Sequence, residues 1–252
     1  MRWIDMSWAE AKDALGDGGV ALLPVGSIEN HGPHLPLATD LLSARRIAEE
    51  ASRLGDWLLL PAVPVGVSEH HRQFPGTLWV PPEVLKGYVL AVARAAATHG
   101  ARRLVFVNGH GGNSATLDMA ARNLRTEAIY AFTFEWWQAI PDLIAANCRQ
   151  PHDHAGEMET SMILAIDAEL VDTARYAEAA AGVSEWGERR NGVAIGFDTI
   201  DFTPTGVVGD PAGASAEKGR RFIEGSAEEL HAFCSWLSQQ SEEALAPKAR
   251  LT

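Results

Sequence analysis

The sequence is poor in cysteine, in basic residues and in long apolar runs, and each shortage excludes something. Cys148 and Cys234 are the only cysteines in 252 residues. Two thiols without a CxxC pair supply neither a disulfide framework nor a thiolate zinc site, and a reducing, cytoplasmic setting is expected. Lysine and arginine total 21 against 33 aspartates and glutamates, for a formal net charge of -12. A chain this acidic lacks the basic face that neutralises phosphates, so neither nucleic acid nor an anionic membrane is expected as a partner. No stretch approaches the roughly 18 apolar residues of a membrane helix. The N-terminal residues are charged and amphipathic, with no apolar core of a signal peptide. Repeats, low-complexity tracts and Ser/Gly linkers are also missing, so a single domain over residues 1–252 is expected.

What is present is an alternation of short apolar runs with helical periodicity. Val20 to Gly26, Trp57 to Val65, Leu104 to Val107 and Ala128 to Phe134 read as strands. Helical spacing covers Leu41 to Leu54, Pro82 to His99, Ser114 to Thr126, Met158 to Ile166 and Ala214 to Leu237. This order predicts an α/β fold, a mostly parallel sheet with helices on both faces. Chemistry in such sheets gathers in the loops after the carboxyl ends of the strands. The segment from Ala181 to Gly213, with scattered Gly and Pro, reads as an ordered loop or a small hairpin excursion.

Those loops hold most of the nine histidines. After the first strand, Glu29 and His31 lie two residues apart, which in extended backbone puts them on one face. Asp40 stands at the head of the next helix. One Glu, one His and one Asp at a strand's end make a mixed O/N site for a divalent metal, whereas Asp40 alone would read equally as a helix N-cap. The third strand runs into Asn108-Gly-His110-Gly111-Gly112-Asn113, where the glycines let the backbone approach a ligand and His110 is a ligand candidate. It has neither a GxGxxG nor a GxxxxGK[ST] pattern, so phosphate binding is excluded. His152-Asp-His154-Ala-Gly-Glu157-Met-Glu159 packs two His and two Glu into eight residues. We read His154 as a proton shuttle and Glu159 as a metal ligand, with Glu157 as a catalytic acid or in place of Glu159. The loop Gly66 to Thr77 offers Glu69 and His70 to a pocket, while His71 and Arg72 read equally as loop surface. Gly111, Gly112 and Trp136 are further pocket candidates, with core packing the equal alternative for Trp136 and Trp137.

Five segments together resemble the creatininase family of metal-dependent hydrolases: PVGSIENHGPHLPLATD, GVSEHHRQFPGT, VNGHGGN, HAGEMETS and TPTGVVGDPAGASAEKG, in that order from Pro24 to Gly219. The resemblance implies a three-layer α/β/α fold, two divalent ions per chain (Zn, Mn or Fe), hydrolysis of a C–N bond and a homohexamer. By position, Glu29, His31, Asp40 and His110 match metal ligands, with Asp40 bridging, and His154 matches a proton-transfer residue. Creatinine-hydrolysing members carry a metal-binding Glu where this chain has Gly112, and a pocket tryptophan where it has Gln150. The first departure implies that Glu159 supplies the carboxylate or that the second metal is weak; the second points away from creatinine. The expected activity is therefore cleavage of a non-peptide amide, cyclic amide or formamide in a small-molecule substrate. The alternatives are a peptidase of peptide maturation and an inactive, metal-stabilised binding subunit.

Overall fold

A computed structural model describes residues 1–14, 19–150, 154–180, 182–183 and 185–249. Four parallel strands form its centre: β1 (Val20–Val25), β2 (Leu58–Leu59), β3 (Arg103–Asn108) and β4 (Tyr130–Glu135), in the order β2-β1-β3-β4. β1 is buried along its whole length because both faces are covered. Alternate side chains go to opposite layers, as the two-residue period of a strand requires. Val20, Leu22, Val105, Val107 and Tyr130 pack on one face against α1 (Thr39–Gly55) and α5 (Ala216–Ser238) through Ile47, Ala51, Phe222 and Leu230. Ala21, Leu23, Leu104 and Phe106 pack on the other against α2 (Pro82–Thr98) and α3 (Ser114–Arg125) through Leu85, Val89, Leu117 and Leu124. Each fully buried Leu, Val or Phe contributes about 1.5–3 kcal/mol, so these two layers carry most of the stabilisation. The architecture is the expected three-layer α/β/α sandwich.

The element bounds agree closely with the sequence periodicity except at β2. The apolar run from Trp57 to Val65 contains Pro61 and Pro64, which have no N–H to donate to a ladder. Regular pairing therefore stops at Leu59, and single bonds from Leu60 N–H to Leu22 O and from Val63 N–H to Pro24 O carry the chain along β1. The helix α4 (Glu157–Ile166) packs beside α5, and a short antiparallel hairpin, β5 (Arg189–Arg190) with β6 (Val193–Ala194), occupies the expected excursion. Among the described residues no helix is long and apolar enough to cross a membrane.

The strand order fixes where a ligand can go. From β1 the chain moves outward to β2, then returns through α2 to β3 on the other side of β1. The connections thus diverge between β1 and β3, and the carboxyl ends of these two strands open a crevice at this switch point.

Candidate metal centre

Loops from β1, β3 and the turn before α4 converge in that crevice. Glu29, His31, Asp40, His110 and Glu159 are all buried. Asp40 enters from the first turn of α1, which can press against the end of β3 because residue 109 is glycine: a Cβ there would lie 2.2 Å from the Asp40 carbonyl oxygen. Asp40 then divides its carboxylate. Oδ1 is 3.0 Å from His31 Nε2, and Oδ2 is 3.2 Å from His110 Nδ1. Glu29 Oε1 stands 3.1 Å from His110 Nδ1, and Glu159 Oε2 stands 3.6 Å from His31 Nε2. Among the described residues, three buried groups have donor atoms within 4.8 Å of one another: Glu29–Asp40–His110 and His31–Asp40–Glu159, two triads that share Asp40, and Glu29–His31–His154.

The backbone sets which nitrogen each imidazole presents. His110 Nε2–H donates to Val67 O at 3.0 Å and His31 Nδ1–H donates to Glu29 O at 3.2 Å, so the opposite nitrogen of each ring is the one that faces the carboxylates. Both Glu29 oxygens, His31 Nε2 and Asp40 Oδ2 are buried without a hydrogen bond of ordinary geometry. Three buried carboxylates with no lysine or arginine among the described residues that line the cavity are costly unless a cation completes them. The donor set, N and O only, suits a divalent ion of the Zn or Mn type. The residues present therefore fit the metal that the sequence resemblance implies.

Burial pulls the His31 imidazole down, but Asp40, Glu159 and Glu29 outweigh it and hold it at about 10. His110 is lifted well above its ordinary value against the same burial by Glu29 and Asp40. Burial lifts Glu159 to about 7. His154 behaves oppositely: burial and the neighbouring His31 keep it well below its ordinary value, hence neutral. Its Nε2–H donates to Asn30 O at 2.9 Å, leaving Nδ1 on the cavity side, 4.0 Å from Glu159 Oε2. The His154 backbone is pinned on both sides by Val208, through N–H···O bonds of 2.8 and 2.9 Å. Ala155 beside it is held at φ +56°, a left-handed conformation that a side chain disfavours, while its N–H donates to Glu159 Oε2 at 2.6 Å.

Not every expected residue arrives at the site. His70, Gly111 and Gly112 line a cavity of about 560 Å³ above the triads. At Gly112 a Cβ would meet Val67 O at 2.3 Å and His110 Nε2 at 2.4 Å, so this loop has no room for a carboxylate, and the third acid of the cluster, Glu159, comes from α4 instead. Glu157 is corrected: it turns away, accepts hydrogen bonds from Lys218 Nζ and the Arg149 N–H, and acts as a buried structural anion. Residues two apart on a helix point about 200° apart, so Glu157 and Glu159 lie on opposite faces and cannot both face the site. Glu69 is also corrected. It sits in a 3₁₀ turn, Glu69–His71, that sends it to solvent with Arg72 at 3.5 Å while His70 lines the cavity. Trp136 is 1% exposed and lies in the α1/α5 layer; Trp137, next in the chain, reaches the cavity instead. His152 and Asp153 lie outside the described residues.

Sequence reasoning undervalued His71, which is fully buried with Nε2 3.4 Å from Glu29 Oε1. It also missed the apolar wall formed by Met158, Trp186, Phe197 and Phe202. A polar loop followed by an aperiodic one carries no local pattern for either.

The creatininase family model, creatinine amidohydrolase, matches residues 4–234. The mycofactocin precursor peptide peptidase of Mycobacterium ulcerans is 40% identical over 214 residues, 80% of this chain and 79% of that protein. The creatinine amidohydrolase of Pseudomonas putida is 33% identical over 196 residues, 69% of this chain and 75% of its own. A manganese creatininase superposes with a TM-score of 0.80 at 25% identity, covering 95% of this chain and 99% of the other. Motifs, metal-binding geometry and fold converge with these likenesses, and the chain belongs to the creatininase family of metal-dependent amidohydrolases.

Proposed function

We propose that this protein hydrolyses an amide bond within a peptide, rather than in a small cyclic amide or a formamide. The observation that carries the reading is the cavity: about 560 Å³, lined both by the carboxylate–histidine cluster and by Trp137, Met158, Trp186, Phe197 and Phe202. A creatinine-sized molecule would leave most of it empty, and apolar side chains of an extended chain would fill it. The 40% identity to a peptide peptidase of peptide maturation supports the same choice.

In this reading Glu29, Asp40 and His110 hold one ion, and His31, Asp40 and Glu159 hold the other. Divalent ions bound there supply a water of lowered pKa and polarisation of the scissile carbonyl. His154 moves the proton. With its Nε2–H held by Asn30 O, its Nδ1 accepts the proton that the attacking water releases, and returns it to the nitrogen as the acyl–nitrogen bond breaks. One water is consumed, and a carboxylic acid and an amine leave. Asn30 O fixes the His154 tautomer through Nε2–H, so the proton is carried at the nitrogen facing the cavity. The same reading retains the homohexamer that the sequence resemblance implies and the cytoplasmic setting expected from the scarcity of cysteine; light scattering and cell fractionation check them.

The test is hydrolysis by zinc- or manganese-loaded protein of a peptide library, creatinine and a formamide, with new amino groups followed by mass spectrometry. Peptide cleavage that His154→Ala lowers by about 10²–10⁴-fold supports the proposal. Turnover of creatinine or the formamide alone refutes it. So does full metal loading without any turnover, which would identify a binding subunit.

A further inference from the structure

The outer wall of the cavity comes from the aperiodic arm of residues 185–202. Trp186 meets Phe202 edge-on, with centroids 5.3 Å apart and planes at 68°. On its other side it meets His154 at 5.6 Å and 73°, and His70 at 5.9 Å and 78°. It nevertheless stays 51% exposed, and Phe197 on the same wall is 79% exposed. One aromatic side chain, Trp186, thus stands partly in water against the ring of His154, and a second, Phe197, lines the same cavity.

This arm is anchored. Arg72 Nη2 lies 2.7 Å from Asp198 Oδ2, and the Gln73 side chain donates to the same carboxylate, tying the arm to the His70–His71 turn. Asp198 and Asp201 also close a capping box around the 3₁₀ turn Thr199–Asp201. The aromatic rings are therefore held at a fixed place relative to the metal floor rather than left on a loose loop.

Exposed aromatic surface next to a catalytic crevice forfeits burial energy until something covers it. The cavity is continuous from the Glu29–Asp40–His110 floor to Trp186 and Phe197, so the molecule that occupies the floor also reaches the wall. The wall contributes indole and phenyl surface and no lysine or arginine, so its complement is an apolar group, best an aromatic ring meeting it edge-on. We infer that Trp186 and Phe197 form a specificity subsite for an apolar, preferentially aromatic, side chain next to the scissile amide. This inference rests on the peptide-hydrolase reading for its substrate, although binding at the subsite is measurable without turnover.

Two measurements on metal-loaded protein test it. The first compares kcat/KM for acetylated pentapeptide amides carrying Phe or Gly at the central position of an otherwise all-Ala sequence. The Phe/Gly ratio is expected to fall by about tenfold in Trp186→Ala and to be recovered in Trp186→Phe, the scale of one aromatic contact. A ratio unchanged in Trp186→Ala overturns the inference, because a purely structural loss would lower both substrates alike. The second follows binding of 3-phenylpropan-1-ol, which has no amide to cleave, by saturation-transfer NMR. Binding by wild type that Trp186→Ala weakens about fivefold supports the subsite, on the same aromatic-contact scale; no binding by wild type, or equal binding by the variant, overturns it. Trp186-dependent binding of the probe without cleavage of any peptide would sustain the subsite and sink the peptide-hydrolase reading.

Discussion

Asp40→Asn isolates the feature on which the two triads depend. The substitution keeps the side-chain volume and replaces one carboxylate oxygen, the charge being removed from a residue 2% exposed whose two oxygens face His31 at 3.0 Å and His110 at 3.2 Å. Removing one partner of a buried ionic contact costs about 3–5 kcal/mol, and each 1.4 kcal/mol is tenfold in affinity. Both ions should therefore bind roughly 10²- to 10³-fold more weakly, not one of them. Elemental analysis after dialysis against a weak chelator is the assay, with Glu159→Gln as the comparison. We expect Asp40→Asn to lose both equivalents and Glu159→Gln to lose one, because Glu159 belongs to a single triad. Circular dichroism should report an intact α/β fold in each, since the sheet and its two apolar layers do not involve either side chain. An Asp40→Asn protein that keeps one tightly bound ion would refute the shared-carboxylate geometry, and one that keeps both with full activity would refute the site.

Three further outcomes follow from particular residues. Glu157→Gln should lower stability by about 3–5 kcal/mol, because it leaves Lys218 facing a neutral partner at a buried contact, yet kcat/KM of the metal-loaded enzyme should stay within about twofold; a larger loss of kcat/KM would return Glu157 to the catalytic apparatus. Ala155→Gly should raise the urea midpoint, since it relieves a left-handed φ of +56° that costs an alanine about 1 kcal/mol, and an unchanged or lower midpoint would count against strain there. His34 is buried, with its Nε2 2.9 Å from the Thr160 hydroxyl, and burial followed by the nearby His31 pushes it down to about 4. A folded value below the unfolded one, about 6.5, means stability that is present above pH 6.5 and lost as pH falls toward 4, up to about 3 kcal/mol. Urea titrations of chelator-treated protein should show that loss over this window, and His34→Asn should flatten it; an equally steep variant would exclude His34 as the source.

Much of this was legible in the chain itself. Apart from β2, the main strands and the long helices followed from apolar period, since both sheet faces are covered and α1, α2, α3 and α5 each bury one apolar face. Glu29, His31 and His110 stood out because their loops follow strand ends, where α/β sheets put their ligands, Asp40 because it heads the helix after the first of those loops, and His154 because two His and two Glu crowd one short segment. The segment TPTGVVGDPAGASAEKG carried no ligand, and the structure gives its use: Val208 pins His154, and Lys218 neutralises Glu157.

What the sequence determined by itself was the layer architecture, the donor types and the crevice in which they meet, because these depend on local period, burial and chain order. Which of two neighbouring residues faced the crevice was decided only by the fold. Glu159 rather than Glu157, His70 rather than Glu69, and Trp137 rather than Trp136 are choices made by helix phase and by what packs on the other side. The pairing of Asp40 with both histidines, the proximity of His71 to Glu29 and the aromatic wall from residues 185–202 each join segments far apart in sequence. No local pattern encodes such contacts, since they exist only once two apolar layers have closed on the sheet and set the distances between its loops.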